Sequence, residues 1–211
     1  MKKVNPHYRV SFNNECYSKE FDYSPITIEL DELKHRKLSK EDIHKITLWK
    51  LNRFPSISDE TLKKLNSLES KGPIDREKTR DVLKALISSD GVRLPMASTY
   101  LRFFNPNVYQ IIDARAYRAA FDYKKQTDYN KVNVDESIDI YFIYLDKLKE
   151  IANKGYHGLK VYFQDLDRFL YDIDKLAKFK INDKSLSQDG YTKKVLEIVE
   201  EFKKNIATKG K

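Results

Sequence analysis

The sequence predicts a mostly α-helical protein built around one core. Three observations carry that reading. Apolar residues recur at three- and four-residue spacing from residue 39 almost to the C-terminus. Capping side chains stand ahead of those runs, and glycine or proline marks the breaks between them. The 211 residues suit one domain, or one domain with appendages, and 40% hydrophobic content argues against a disordered chain.

Residues 1–30 differ from the rest and form an extension with short strand candidates. Tyr8, Val10 and Phe12 alternate with polar residues, as do Ile26, Ile28 and Leu30. The helical domain is expected over 31–211. Ser39 can cap a helix carrying Ile43, Ile46 and Thr47, with Asp42 placed as in a capping box. Pro55 ends that region, and Ser58 can cap the next helix, with Leu62, Leu65 and Leu68 at helical spacing. After Gly72-Pro73, Asp75 can cap a helix that turns Thr79, Val82, Leu83, Leu86 and Ile87 inward. Beyond Asp90-Gly91 comes a helix with Ala97, Tyr100, Leu101 and Phe104 on one face, stopped by Asn105-Pro106-Asn107. Val108–Ile112 is short and extended, and Asp113 opens a helix over 114–123. Ile138 to Ala152 and Leu159 to Leu176 mark two longer amphipathic helices separated by Gly155 and Gly158. Residues 180–190 read as a polar loop, and Val195 to Ile206 as a last amphipathic helix.

Composition narrows the partners. The formal net charge is +8, which favours polyanions, nucleic acid before membrane surfaces. A soluble protein that is merely rich in lysine fits the same number. Cys16 stands alone, which excludes an internal disulfide framework and a four-cysteine metal site. The four histidines have no metal-ligand spacing. No signal peptide or membrane-spanning run is read, so the default location is cytoplasmic.

The candidate chemistry lies in 75–123. Two helices joined by a turn at Gly91 make a helix-hairpin-helix, whose outward N–H groups beside a helix N-terminus attract phosphate. Arg93 adds a charge-assisted donor. An ordinary helical hairpin with a glycine bend fits as well. Asp113 stands 22 positions beyond Gly91. It reads either as an N-cap or as a carboxylate held rigidly for chemistry. At a helix N-terminus it is expected to stay ionised. Trp49 can stack on a nucleic-acid base and Lys50 can hydrogen-bond it, or else they are a packing tryptophan beside a solvated lysine. Arg115 and Arg118 are candidates for phosphate contact or surface charges. Tyr100, Tyr109 and Tyr117 are candidates for intercalation or pocket lining, and Asp167 and Arg168 read as structural ion-pairing residues.

These residues resemble the helix-hairpin-helix DNA glycosylase superfamily. Gly91-Val92 match the start of its Gly-Val-Gly-like turn, Ala97 a small residue of the following helix, and Asp113 its catalytic aspartate. The run Gly-Val-Arg-Leu-Pro-Met-Ala-Ser from Gly91, and Tyr-Gln-Ile-Ile-Asp-Ala-Arg-Ala from Tyr109, also resemble a bacterial branch of that superfamily. Trp49-Lys50 and the Leu-Asp-Arg-Phe-Leu run from Leu166 fit the same branch. The likeness covers residues 40–175 and is strongest over 86–121. Three departures stand out: Arg93 replaces the second turn glycine, Asp90 replaces a common proline, and Pro95 occupies the position where bifunctional members carry a lysine.

The resemblance implies an all-α glycosylase-like fold and a monofunctional DNA glycosylase. Asp113 would be its catalytic carboxylate, Trp49, Lys50 and Tyr109 its base pocket, and Gly91, Val92, Arg93, Arg115 and Arg118 its contacts to the DNA backbone. The expected partner is duplex DNA, bound by a monomer without metal or small-molecule cofactor, a monovalent cation at the hairpin excepted. Two alternatives stay open: a non-catalytic DNA-binding module of the same fold, and a helical protein that binds other proteins.

Overall fold

In a computed structural model the protein is mainly helical. The structure describes residues 7–12, 15–20, 29–30, 33, 38–51, 55–69, 71–123, 128–129, 131–179 and 187–209. The chain divides into two compact units, Met1–Pro55 and Ser56–Lys211. The boundary therefore falls after Pro55 rather than near residue 30.

The first unit holds an antiparallel hairpin of β1 (His7–Phe12) and β2 (Glu15–Glu20), with Tyr8 opposite Lys19 and Phe12 opposite Glu15. The alternation at Tyr8, Val10 and Phe12 thus falls on a strand. Of the second strand candidate, Ile26 and Ile28 lie outside the described residues. Leu30 is helical instead, and its carbonyl accepts the Leu33 N–H at 3.1 Å. Helix α1 (Lys40–Lys50) opens on the expected capping box. The Ser39 hydroxyl accepts the Asp42 N–H at 3.2 Å, and the Asp42 carboxylate accepts the Ser39 N–H at 2.8 Å.

The second unit contains α2 (Asp59–Asn66), α3 (Arg76–Ile87), α4 (Leu94–Phe104), α5 (Ala114–Ala120) and α6 (Val134–Lys154). A 3-10 turn at Phe163–Asp165 runs into α7 (Leu166–Leu176), and α8 (Gln188–Lys209) follows. Ser58, Asp75 and Asn133 cap their helices with side-chain oxygens, each satisfying an N–H that lacks a partner in the first turn. Val82, Leu83 and Leu86 of α3 and Ala97 and Leu101 of α4 are buried as their spacing predicts. Each buried leucine contributes roughly 2 kcal/mol by leaving water. Leu62, at helical spacing with Leu65 and Leu68, is exposed.

Short α5 lies against both α6 and α7, so the segment that Asp113 opens is held within the core. This helix stops at Ala120, not at residue 123. Asp122 and Tyr123 take φ of 45° and 66°, outside the right-handed helical region. The helix expected from Leu159 starts only at the 3-10 turn. His157 and Gly158 have φ of 46° and 83°, and Tyr156 and Leu159 exchange backbone hydrogen bonds at 2.8 and 2.9 Å. That local closure uses up the turn that would have begun the helix.

Candidate active site

The segment before Asp113 is extended and is fixed by side chains rather than by a neighbouring strand. Tyr141 and Tyr144 of α6 donate their hydroxyls to the carbonyls of Gln110 and Ile111, both at 3.0 Å. The Ile111 N–H donates to Asp167 Oδ2 at 3.0 Å, and the Ile112 N–H to Ser98 Oγ at 3.1 Å. Ser98 in turn donates to the Pro95 carbonyl at 2.8 Å, tying this segment to the first turn of α4. Buried backbone polar groups need such partners, because each one left unpaired costs about 1–3 kcal/mol.

Asp113 is the N-cap of α5. Its Oδ1 accepts both the Arg115 N–H at 2.7 Å and the Ala116 N–H at 2.8 Å. No donor among the described residues reaches Oδ2 within hydrogen-bonding geometry. Asp113 lines a cleft of about 340 Å³ together with Ile111, Asp167, Arg168, Tyr171 and Asp172. The helix end does not by itself set the affinity of this carboxyl for its proton. Burial pushes it above the ordinary aspartate value, against the opposing pull of the Ala116 and Arg115 N–H groups.

The hairpin is present but differs from a simple phosphate cradle. Gly91 takes φ of 75°, a left-handed conformation that glycine adopts without a Cβ penalty. Val92 does not offer the turn an outward donor. Its side chain is buried in the core and its N–H donates to the Ser89 carbonyl at 3.1 Å. Pro95 sits in the first turn of α4 and removes a further N–H. Arg93 is exposed at the N-cap of α4 and makes no side-chain capping bond there.

Arg118 is corrected outright. It is 1% exposed and pairs two-pronged with Asp174, Nε to Oδ1 at 2.7 Å and a terminal nitrogen to Oδ2 at 2.8 Å. Arg115 reaches the same carboxylate, Oδ2 at 3.0 Å, and the Phe179 carbonyl at 3.4 Å. Tyr191 donates its hydroxyl to Asp174 Oδ1 at 2.9 Å. Both arginines therefore serve a buried network that joins α5, α7 and α8. Asp174 had no sequence-level assignment. Its signal was a carboxylate on the apolar stripe Leu166, Leu170, Ile173, seven residues after Asp167 on the same face.

Tyr109 is not a pocket residue either, because it is buried with its hydroxyl 2.7 Å from that of Thr79. Tyr117 is buried among the rings of Phe121, Tyr129 and Tyr144. Asp167 is buried and ion-paired, but with Arg102, whose Nε lies 3.6 Å from Oδ2, and not with Arg168. Arg168, exposed, and Tyr171, half-buried, form cleft wall that the sequence did not single out as such. Trp49, 43% exposed, and Lys50 end α1 in the first unit, whereas Asp113 belongs to the second. Among the described residues, no group of three or more His, Cys, Asp or Glu is placed to hold a metal, and no helix is long and apolar enough to cross a membrane. No family model, no curated protein and no solved structure matches this chain.

Proposed function

We propose that the protein is a monofunctional DNA glycosylase-like hydrolase that removes a damaged or modified base, with Asp113 as its working carboxylate. One observation carries this reading: Asp113 has Oδ1 locked by two backbone N–H groups while Oδ2 is left without a protein donor among the described residues, at a cleft. A carboxylate serving only as a cap has no use for that cleft. The resemblance to the glycosylase superfamily over 86–121 supplies the reaction class.

In this reading the target nucleotide leaves the stack at a cost of a few kcal/mol. The carbon–nitrogen bond breaks with its electron pair passing to the base, and positive charge develops on the sugar. Asp113, ionised, stabilises that charge and aligns a water on the anomeric carbon. The water oxygen bonds to that carbon, and its proton is taken up as the departing base is protonated. A carboxyl raised by burial is a better proton acceptor than an exposed one, which suits it to activating the water. Pro95 supplies no amine for a Schiff base, so hydrolysis is favoured over lyase chemistry.

The test is a base-release screen by mass spectrometry over duplexes carrying different modified bases, with wild type and Asp113→Asn side by side. The variant keeps an Oδ1 acceptor for the cap and should lose release while retaining binding. Turnover by Asp113→Asn would refute the assignment. Salt-sensitive DNA binding with no release by wild type would favour the non-catalytic module.

A further inference from the structure

Asp174 gathers more positive charge than its own burial requires. Arg118 alone neutralises it, through two hydrogen bonds at 2.7 and 2.8 Å, and Tyr191 fills a further acceptor position at 2.9 Å. A second guanidinium, Arg115, is nevertheless drawn to Oδ2 at 3.0 Å. Arg115 follows Asp113 by two residues, and its own N–H is bound to Asp113 Oδ1 at 2.7 Å. Its flexible stem lets the guanidinium swing toward the start of α5, where the Asp113 carboxylate attracts it electrostatically. An arginine on that carboxylate would block the cleft and neutralise the charge the site uses.

We propose that Asp174 is a positioning residue that withholds Arg115 from Asp113, so that Asp113 Oδ2 stays open to the cleft. The inference rests on the reading of Asp113 as the working carboxylate. Asp167, Arg168, Tyr171 and Asp172 on α7 line the cleft with Asp113, and Arg115 on its own helix acts on it electrostatically. Asp174 on α7, Tyr144 on α6 and Tyr129 also interact with it electrostatically. Of the cations among these, Arg115 alone shares a helix with Asp113.

The experiment is an NMR titration of the Asp113 carboxyl carbon in the full chain, for wild type, Asp174→Asn, Arg115→Gln and the double variant. Arg115→Gln alone should move the Asp113 midpoint by less than about half a pH unit. In the Asp174→Asn background the same substitution should raise it by about one pH unit or more, because there Arg115 has moved onto Asp113. Equal effects in the two backgrounds would overturn the proposal. If Asp174→Asn does not fold, Arg115→Gln still decides: a rise of about one pH unit or more would mean that Arg115 already sits on Asp113. Base release gives a second readout. Asp174→Asn should lose about tenfold or more, and adding Arg115→Gln should recover most of the loss. No recovery, with Asp113→Asn inactive as expected, sinks the positioning role and leaves the glycosylase reading standing. If wild type releases no base, that reading falls and the titration still judges Asp174.

Discussion

Replacing Asp174 by alanine should be among the most damaging single changes in this protein. The carboxylate is fully buried and accepts four hydrogen bonds, from Arg118 twice, Arg115 and Tyr191. Its loss takes from the buried Arg118 guanidinium, 1% exposed, both hydrogen bonds at 2.7 and 2.8 Å and the opposite charge that compensates it. Breaking a buried ion pair by removing one partner costs about 3–5 kcal/mol, because the surviving charge stays buried without compensation. Arg115 is partly exposed and is not left buried without a partner when the carboxylate goes, so its share is small. In a unit of this size, 4 kcal/mol corresponds to a Tm lower by roughly 10 °C. Differential scanning calorimetry on wild type and Asp174→Ala measures it. The triple variant Asp174→Leu, Arg118→Met, Tyr191→Phe removes the buried carboxylate together with its two buried donors. It should return to within about 1 kcal/mol of wild type, since apolar replacement of a buried pair is often neutral. A drop of less than about 2 °C for Asp174→Ala would refute the reasoning.

Other expectations follow from the same geometry. Asp113→Ala should cost about 1 kcal/mol in urea unfolding through the lost cap, and Asp113→Asn much less. The raised carboxyl of Asp113 contributes stability that is fully present below its unfolded value, about 3.9, and lost as pH rises through the higher folded value. Asp113→Asn should therefore gain on wild type at pH 7 relative to pH 3, as urea unfolding at the two pH values will show; a reversed sign contradicts burial as the dominant cause. Gly91→Ala should destabilise by about 1–2 kcal/mol, because φ of 75° places a Cβ in the left-handed region. Ser98→Ala leaves the buried Ile112 N–H unpaired and should cost about 1–3 kcal/mol, read from the same denaturation curves.

Much of the helical plan was legible because it is local. Ser39, Ser58, Asp75 and Asp113 announce helix starts within three residues of the N–H groups they satisfy, and all four do cap. Gly91 marks its turn for an equally local reason. What could not be read depends on partners far away in sequence. Arg118 looks like any exposed arginine on a seven-residue helix until Asp174, 56 positions on, is folded against it. Tyr109 in an extended run gives no sign that Thr79 awaits its hydroxyl 30 positions back. The early stop of α5 and the late start of α7 were missed because Asp122, Tyr123 and His157 take positive φ without being glycine. Nothing in their side chains requires that conformation.

The four side chains that grip residues 110–112 work as an index on the chain. Tyr141, Tyr144, Asp167 and Ser98 come from three different helices, and each takes a specific backbone atom of a specific residue. A slip by one residue would move the backbone about 3.3 Å, swap every donor for the wrong neighbour and turn each side chain to the opposite side. All four bonds would fail together, so no half-slipped state is favoured. The distance from Pro106 to Asp113 is consequently counted in whole residues, and a single insertion or deletion there should displace the carboxylate altogether rather than retune it. Changes in the shape and charge of the cleft fall to its walls, such as Arg168, Tyr171 and Asp172, which can vary while the aspartate stays where the index sets it.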